Sequence, residues 1–135
     1  MSTRSNIILV TPDNRVHQFY HHYDDYLSGV GEELRKHLVY PIGMSVLLKD
    51  VPAEEVLISE LDSVDGYEDE YTHEFNSHNR IHADVEFTYV VKDSRLYYIY
   101  KYGLCENVDT YSDLIGYVCK DENEIDLIHP CKDED

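Results

Sequence analysis

"HADVEFTYVVKDSRLYYIYKYG", residues 82–103, carries the most regular pattern in the chain. Val85, Phe87, Tyr89 and Val91 alternate with Asp84, Glu86 and Thr88. That is the period of two expected of a strand, because successive side chains point to opposite faces of a sheet. "KDS" then supplies a turn, and Leu96, Tyr98, Tyr100 and Tyr102 alternate with Arg95, Tyr97, Ile99 and Lys101. The stretch therefore predicts a β-hairpin with one mainly apolar face and one mixed face. Upstream, "SNIILV" (5–10) and "VHQFY" (16–20) flank "TPDNR", whose Pro-Asp-Asn is turn chemistry, and this predicts a second hairpin.

Between the hairpins lie helical signals. Ser28 suits an N-cap, and Val30, Leu34 and Leu38 form one apolar stripe over 29–40, stopped by Pro41 and Gly43. Pro52 followed by "AEEVLISEL" predicts a second amphipathic helix to about residue 61. Residues 44–51 fit a short helix or a strand, and 110–116 fit a short helix or an edge strand. "IDLIH" (125–129) suits a last short strand and "CKDED" a frayed tail. The expectation is a single α+β domain over 1–135: an antiparallel sheet built from two hairpins, with one or two helices packed on one face. Its parts are a hairpin plus helix (1–40), a helix and acidic connection (41–81), the second hairpin (82–104) and an acidic C-terminal segment (105–135).

The formal charge is −17, and it is unevenly laid out. Residues 1–40 carry a net −1 and residues 80–104 a net +1, whereas 41–79 carry −9 and 105–135 carry −8. Such an excess opposes compaction through self-repulsion, draws the chain to basic surfaces, and excludes direct binding to nucleic-acid phosphate. The first block peaks in "DGYEDEYTHE" (65–74), which holds five carboxylates and no Lys or Arg and reads as a connection without periodicity. The longest apolar runs fall far short of the ~20 residues of a membrane span, and "MSTRSNIILV" is too short and polar for a signal peptide. Cys105, Cys119 and Cys131 are widely spaced with no C-x-x-C, which suits a reducing cytosol rather than a zinc ribbon.

Three segments carry a resemblance. "TRSNI", "YHHYDDYLSGVGEEL" and "HADVEFTYVV" are similar, in that order, to a family of small phage and prophage proteins. That family has an R-x-N-I strand, a Y-x-H-x-D-G-Y-x-x-G-V-G helix entry and an H-G-D-I-E-Y-x-Y-x-V strand. Arg4, Asn6 and Ile7 match the first motif. Tyr20, His22, Asp24, Tyr26, Gly29, Val30 and Gly31 match the second, with Asp25 where the family has Gly. His82, Asp84, Glu86, Phe87 and Tyr89 match the third. About half the chain is touched, and the two acidic blocks are not. The resemblance implies a phage or mobile-element context, in which some genes encode anti-defence factors, and it carries no catalytic assignment.

Candidate chemistry is sparse. G-x-S-x-G, the P-loop and G-x-G-x-x-G are all absent, and in "GVGEEL" two glutamates would repel an anion at the helix start. His82, Asp84 and Glu86, at i, i+2 and i+4, would share one face of a strand and are the metal-binding alternative. His21, His22, Asp24 and Asp25 are metal-competent on a loop, as are His73 and His78 near Glu70 and Glu74. The leading expectation is a non-catalytic protein with no cofactor. Its carboxylates would stand in for phosphates and its tyrosines for anchors on a basic host protein, a CRISPR effector or another defence nuclease, in the host cytoplasm. In the first block the partner-binding candidates are Glu54, Glu55, Glu60, Asp62, Asp65, Tyr67, Glu68, Asp69, Glu70, Tyr71 and Glu74. In the second they are Glu106, Asp109, Tyr111, Asp113, Asp121, Glu122 and Glu124. The alternatives are a metal- or nucleotide-binding module and a phage regulatory or structural protein that forms homo-oligomers through the Tyr-rich hairpin.

Overall fold

The computed structural model describes residues 3–39 and 51–132. Five strands, β1 (Arg4–Val10), β2 (Arg15–His22), β3 (Tyr67–Glu74), β4 (Phe87–Lys92) and β5 (Arg95–Tyr100), form one sheet in the order β3-β2-β1-β4-β5. Three helices, α1 (Glu32–Val39), α2 (Ala53–Asp62) and α3 (Tyr111–Val118), pack on it. The chain is thus a single α+β domain, and both expected hairpins are present: β1 with β2, and β4 with β5.

Two features of the sheet differ from expectation. The hairpins join through a parallel pairing of β1 with β4, so the sheet is mixed rather than antiparallel. Helices also cover both faces. Ile7, Leu9, Phe19, Tyr89 and Leu96 meet Leu34 of α1 and Leu57 and Leu61 of α2 on one side. Ile8, Val10, Val16, Val90 and Tyr97 meet Leu114, Ile115 and Val118 of α3 on the other. The reason is legible in β1 itself. "IILV" (7–10) is apolar at odd and even positions alike, so neither face can be left to water.

The stretch 62–81, read as a connection, contains β3. Only Tyr67 of this edge strand is buried, so burial imposes no alternation on its sequence. A β-bulge in β3, where Glu70 and Tyr71 together face Gln18 of β2 and Tyr71 has φ 72°, further shifts its phase. Conversely, residues 82–86 are a turn and not strand. Fully buried Asn6 holds His82 by both main-chain groups, Nδ2 to O at 3.2 Å and Oδ1 from N at 3.1 Å, and the Arg4 N–H donates to Glu86 at 2.9 Å. These contacts swing the chain away before β4 begins.

Local corrections follow the same logic. Ser28 is not an N-cap: residues Leu27–Gly31 form a π-helical turn in which the Val30 N–H reaches back to the Asp24 carbonyl at 2.9 Å. Gly29 is required there, because a Cβ would lie 2.0 Å from that same oxygen. Residues 110–116 resolve to helix, since Thr110 caps α3 by accepting from the Asp113 N–H. "IDLIH" is not a strand, although the Ile125 N–H bonds Leu96 at the β5 edge. The ambiguous stretch 44–51 lies outside the described residues, Val51 excepted.

The C-terminal segment is tied to α1 by a nearly buried ion pair. Arg35 grips Glu32 at 2.7 and 2.8 Å and donates to the Leu127 carbonyl at 3.0 Å, while Glu32 accepts the Cys131 N–H at 2.7 Å. The Arg35 hydrogen bonds hold the Glu32 carboxyl down at about 2, against an ordinary 4.5. Its stabilising contribution is therefore complete above pH 4.5 and lost as the pH falls toward 2. Glu32→Gln should cost about 2 kcal/mol at neutral pH, the scale of lost charge-assisted hydrogen bonds. It should also flatten the stability profile between pH 4.5 and 2, as read by urea unfolding across that range.

Candidate functional site

The open edge of the sheet is β3. Among the described residues no strand pairs with its outer side. Tyr67 starts it from the core, packed on His21 at 4.5 Å between ring centroids and donating its hydroxyl to Glu33. Burial and the Glu33 carboxylate push the Tyr67 phenol far above its ordinary range, so it stays protonated. Glu68, Asp69, Glu70 and Glu74 follow; Arg15 lies 3.7 Å from Glu74, and Arg80 shares a cleft with Glu68, Asp69 and Glu70.

The bulge decides which carboxylates are free. Because Gln18 faces the extra residue, Glu70 turns inward and Tyr71 is thrown out, 75% exposed. Glu70 joins a polar cluster beneath the sheet: it accepts from Gln18 Nε2 at 3.1 Å and lies 2.8 Å from His82 Nε2. Gln18, 1% exposed, accepts the Tyr111 hydroxyl at 2.5 Å and donates to the Arg80 carbonyl at 3.2 Å. The Arg80 N–H donates to the same hydroxyl at 3.1 Å, and His73 stacks on the Tyr111 ring. Burial raises the Tyr111 phenol above its ordinary value. On the other face Asp69 lies 2.9 Å from His17 Nε2 and accepts the Tyr71 N–H at 2.7 Å. Around the bulge opens a cleft of about 590 Å³ lined by Gln18, Glu68, Asp69, Glu70, Tyr71, His73 and Arg80.

The expected partner-binding residues therefore divide. Five are structural. Glu54, 3% exposed, accepts the Ser94 N–H at 2.7 Å and so supports the β4–β5 turn, where Asp93 and Ser94 both have left-handed φ. Glu60 pairs with His37 at 2.5 Å. Tyr67 and Tyr111 are core residues and not surface anchors, and Glu70 belongs to the cluster under the sheet. Glu55, Asp62, Asp65, Glu68, Asp69, Tyr71 and Glu74 are exposed.

The second block is split in space. Residues 108–111 run beside 77–80, with Asp109 2.8 Å from His78 and the Tyr111 N–H on the Ser77 carbonyl, so Asp109 joins the stretch that follows β3, while Glu106 follows the Gly103 turn and Asp113 sits in the first turn of α3. Asp121, Glu122 and Glu124 instead lie by β5, where Glu124 bridges Tyr97. At roughly 4.8 Å per strand, the two sheet edges are about 19 Å apart.

The metal alternative loses its premise. His82, Asp84 and Glu86 lie in a turn and not on one strand face: His82 pairs with Glu70, whereas Asp84 takes the Arg4 guanidinium at 2.6 Å and Glu86 the Arg4 N–H. Asp25, fully buried, accepts Ser5 Oγ at 2.5 Å and lies 2.9 Å from His21 Nδ1, which makes it a tie between β1 and the loop after β2. His22 stacks on Tyr23, and Asp24 stays exposed. Among the described residues no three His, Cys, Asp or Glu side chains gather in a metal-holding group. The three cysteines are free, and burial pushes the Cys119 and Cys131 thiols up to about 11. No described helix is long and apolar enough to cross a membrane.

Sequence reasoning missed Gln18 and Arg80, which line the cleft. The one available signal was Gln18 at an apolar-phase position of β2, in line with Val16. Compared with known proteins, the chain matches no family model, no curated protein and no solved structure. Tyr111→Phe should leave Gln18 Oε1 and the Arg80 N–H without their buried partner, at a cost of about 1–3 kcal/mol in urea unfolding.

Proposed function

We propose that the protein is a non-catalytic, phage-encoded inhibitor that presents its acidic edge to the basic nucleic-acid-binding surface of a host defence complex, a CRISPR effector first among them. One observation carries this reading: an open edge strand, Tyr67–Glu74, with its carboxylates at the surface and little basic charge to offset them. The phage resemblance of the surrounding scaffold supplies the class of target. The mechanism is competition. Carboxylates occupy Arg and Lys side chains that otherwise hold phosphate, through charge-assisted and often bidentate hydrogen bonds.

The division of the acidic residues refines the interface. Glu68, Asp69, Tyr71, Glu74 and Asp109 form the contact, and Glu54, Glu60, Tyr67, Glu70 and Tyr111 hold the scaffold. A second reading, association of copies of this chain, is favoured by Tyr100 and Tyr102, 68% and 67% exposed at the end of the second hairpin. Sizing at high salt checks it: a monomer at 0.5 M NaCl and micromolar protein removes that reading.

Capture from host lysate at low salt, elution by a salt step and competition against duplex DNA test the inhibitor reading. The captured nuclease should release DNA as this protein is added, and affinity should fall steeply above ~0.3 M salt as exposed charges are screened. Binding that is indifferent to salt, or that leaves DNA in place, would sink the mimicry.

A further inference from the structure

An exposed sheet edge ordinarily invites another strand, yet β3 is poorly built for that. At the bulge the Tyr71 N–H is taken by Asp69, and His73 Nε2 lies 3.0 Å from the Glu70 carbonyl. Tyr71, at φ 72°, also breaks the extended course of the backbone. A continuous main-chain ladder cannot run past such a point, which is how native sheets commonly guard their edges. Like charge along the strand further disfavours pairing with a second copy of this chain. Recognition here has to be made by side chains.

The side chains at the cleft favour one cation over the other. Glu68, Asp69 and Glu70 line it with a single opposing guanidinium, that of Arg80, and the Tyr71 ring lies exposed at its wall. A planar guanidinium pairs with carboxylate in a fork and lies flat on an aromatic ring, whereas an ammonium offers only a compact charge. We infer that this edge is read by arginine side chains of a basic partner segment, one guanidinium entering the cleft against Tyr71, and not by strand addition. The inference rests on the proposed acidic interface and names the partner chemistry it selects.

Nona-arginine and nona-lysine peptides, titrated at low salt into the ¹⁵N-labelled full chain, provide the test. Amide shifts should centre on residues 67–75 and 78–82, and nona-arginine should bind about three- to fivefold more tightly than nona-lysine. Tyr71→Ala removes an exposed ring with no packing role and should bring that ratio close to one, while the amide spectrum itself reports that the fold is intact. Glu68→Gln with Glu74→Gln should weaken both peptides. Asp121→Asn with Glu122→Gln, on the opposite edge, should change neither by as much as twofold. Equal affinity for the two peptides, an unchanged ratio in Tyr71→Ala, or shifts centred on 121–126 would overturn the arginine inference. None of these results bears on DNA competition by a captured nuclease, so failure here is distinguishable from failure of the inhibitor reading.

Discussion

The central strand β1 must be buried on both faces, and the rest of the molecule is arranged around that demand. Every residue from Ser5 to Val10 is buried. Its apolar positions are met by α1 and α2 on one side and α3 on the other. Its polar positions at the N-terminal end are met one by one: Ser5 by Asp25, Asn6 by the His82 main chain, and the Arg4 N–H by Glu86. A buried polar group without a partner is expensive, so these pairings dictate where the 23–26 loop and the 82–86 turn must lie. They also displace the start of β4, which lets it run parallel beside β1.

Charge follows from the same arrangement. The sheet interior has no room for unpaired ions, so the acidic excess moves to the margins, and the one described edge without a covering segment receives the densest stretch. An acidic, bulged edge strand does two things at once. It disfavours edge-to-edge strand pairing with a second copy, and it leaves a negative, aromatic-bearing strand at the surface. The histidines deepen this division: His17 and His82 hold Asp69 and Glu70 against the sheet, while the Glu68 carboxylate takes no hydrogen bond or ion pair among the described residues.

Much of the fold was legible because short-range rules wrote it. The 82–103 hairpin showed itself through period two, the β1–β2 hairpin through turn chemistry, and α2 through Pro52 and its apolar spacing. The acidic stretch 67–74 was illegible as a strand because edge strands bury little and so need not alternate. Its bulge then removed what phase remained. The site was half legible for the same reason. Composition pointed to the acidic blocks, but nothing local separates Glu68, which is exposed, from Glu70, which turns inward to Gln18 and His82. Likewise Tyr67 and Tyr111 look like Tyr71 in sequence, yet two are core and one stands out.

What the sequence determined by itself is the class of the domain, the two hairpins, the helices α1 and α2 and the segregation of charge, all set by neighbours a few residues apart. What only the tertiary structure decided is the parallel union of the hairpins, the third strand, and the division of carboxylates into scaffold and surface. Those depend on contacts across dozens of residues: Asn6 with His82, Gln18 with Tyr111, Glu54 with Ser94. The spacing of residues along the chain does not record which of its polar groups will find each other once the apolar faces have closed.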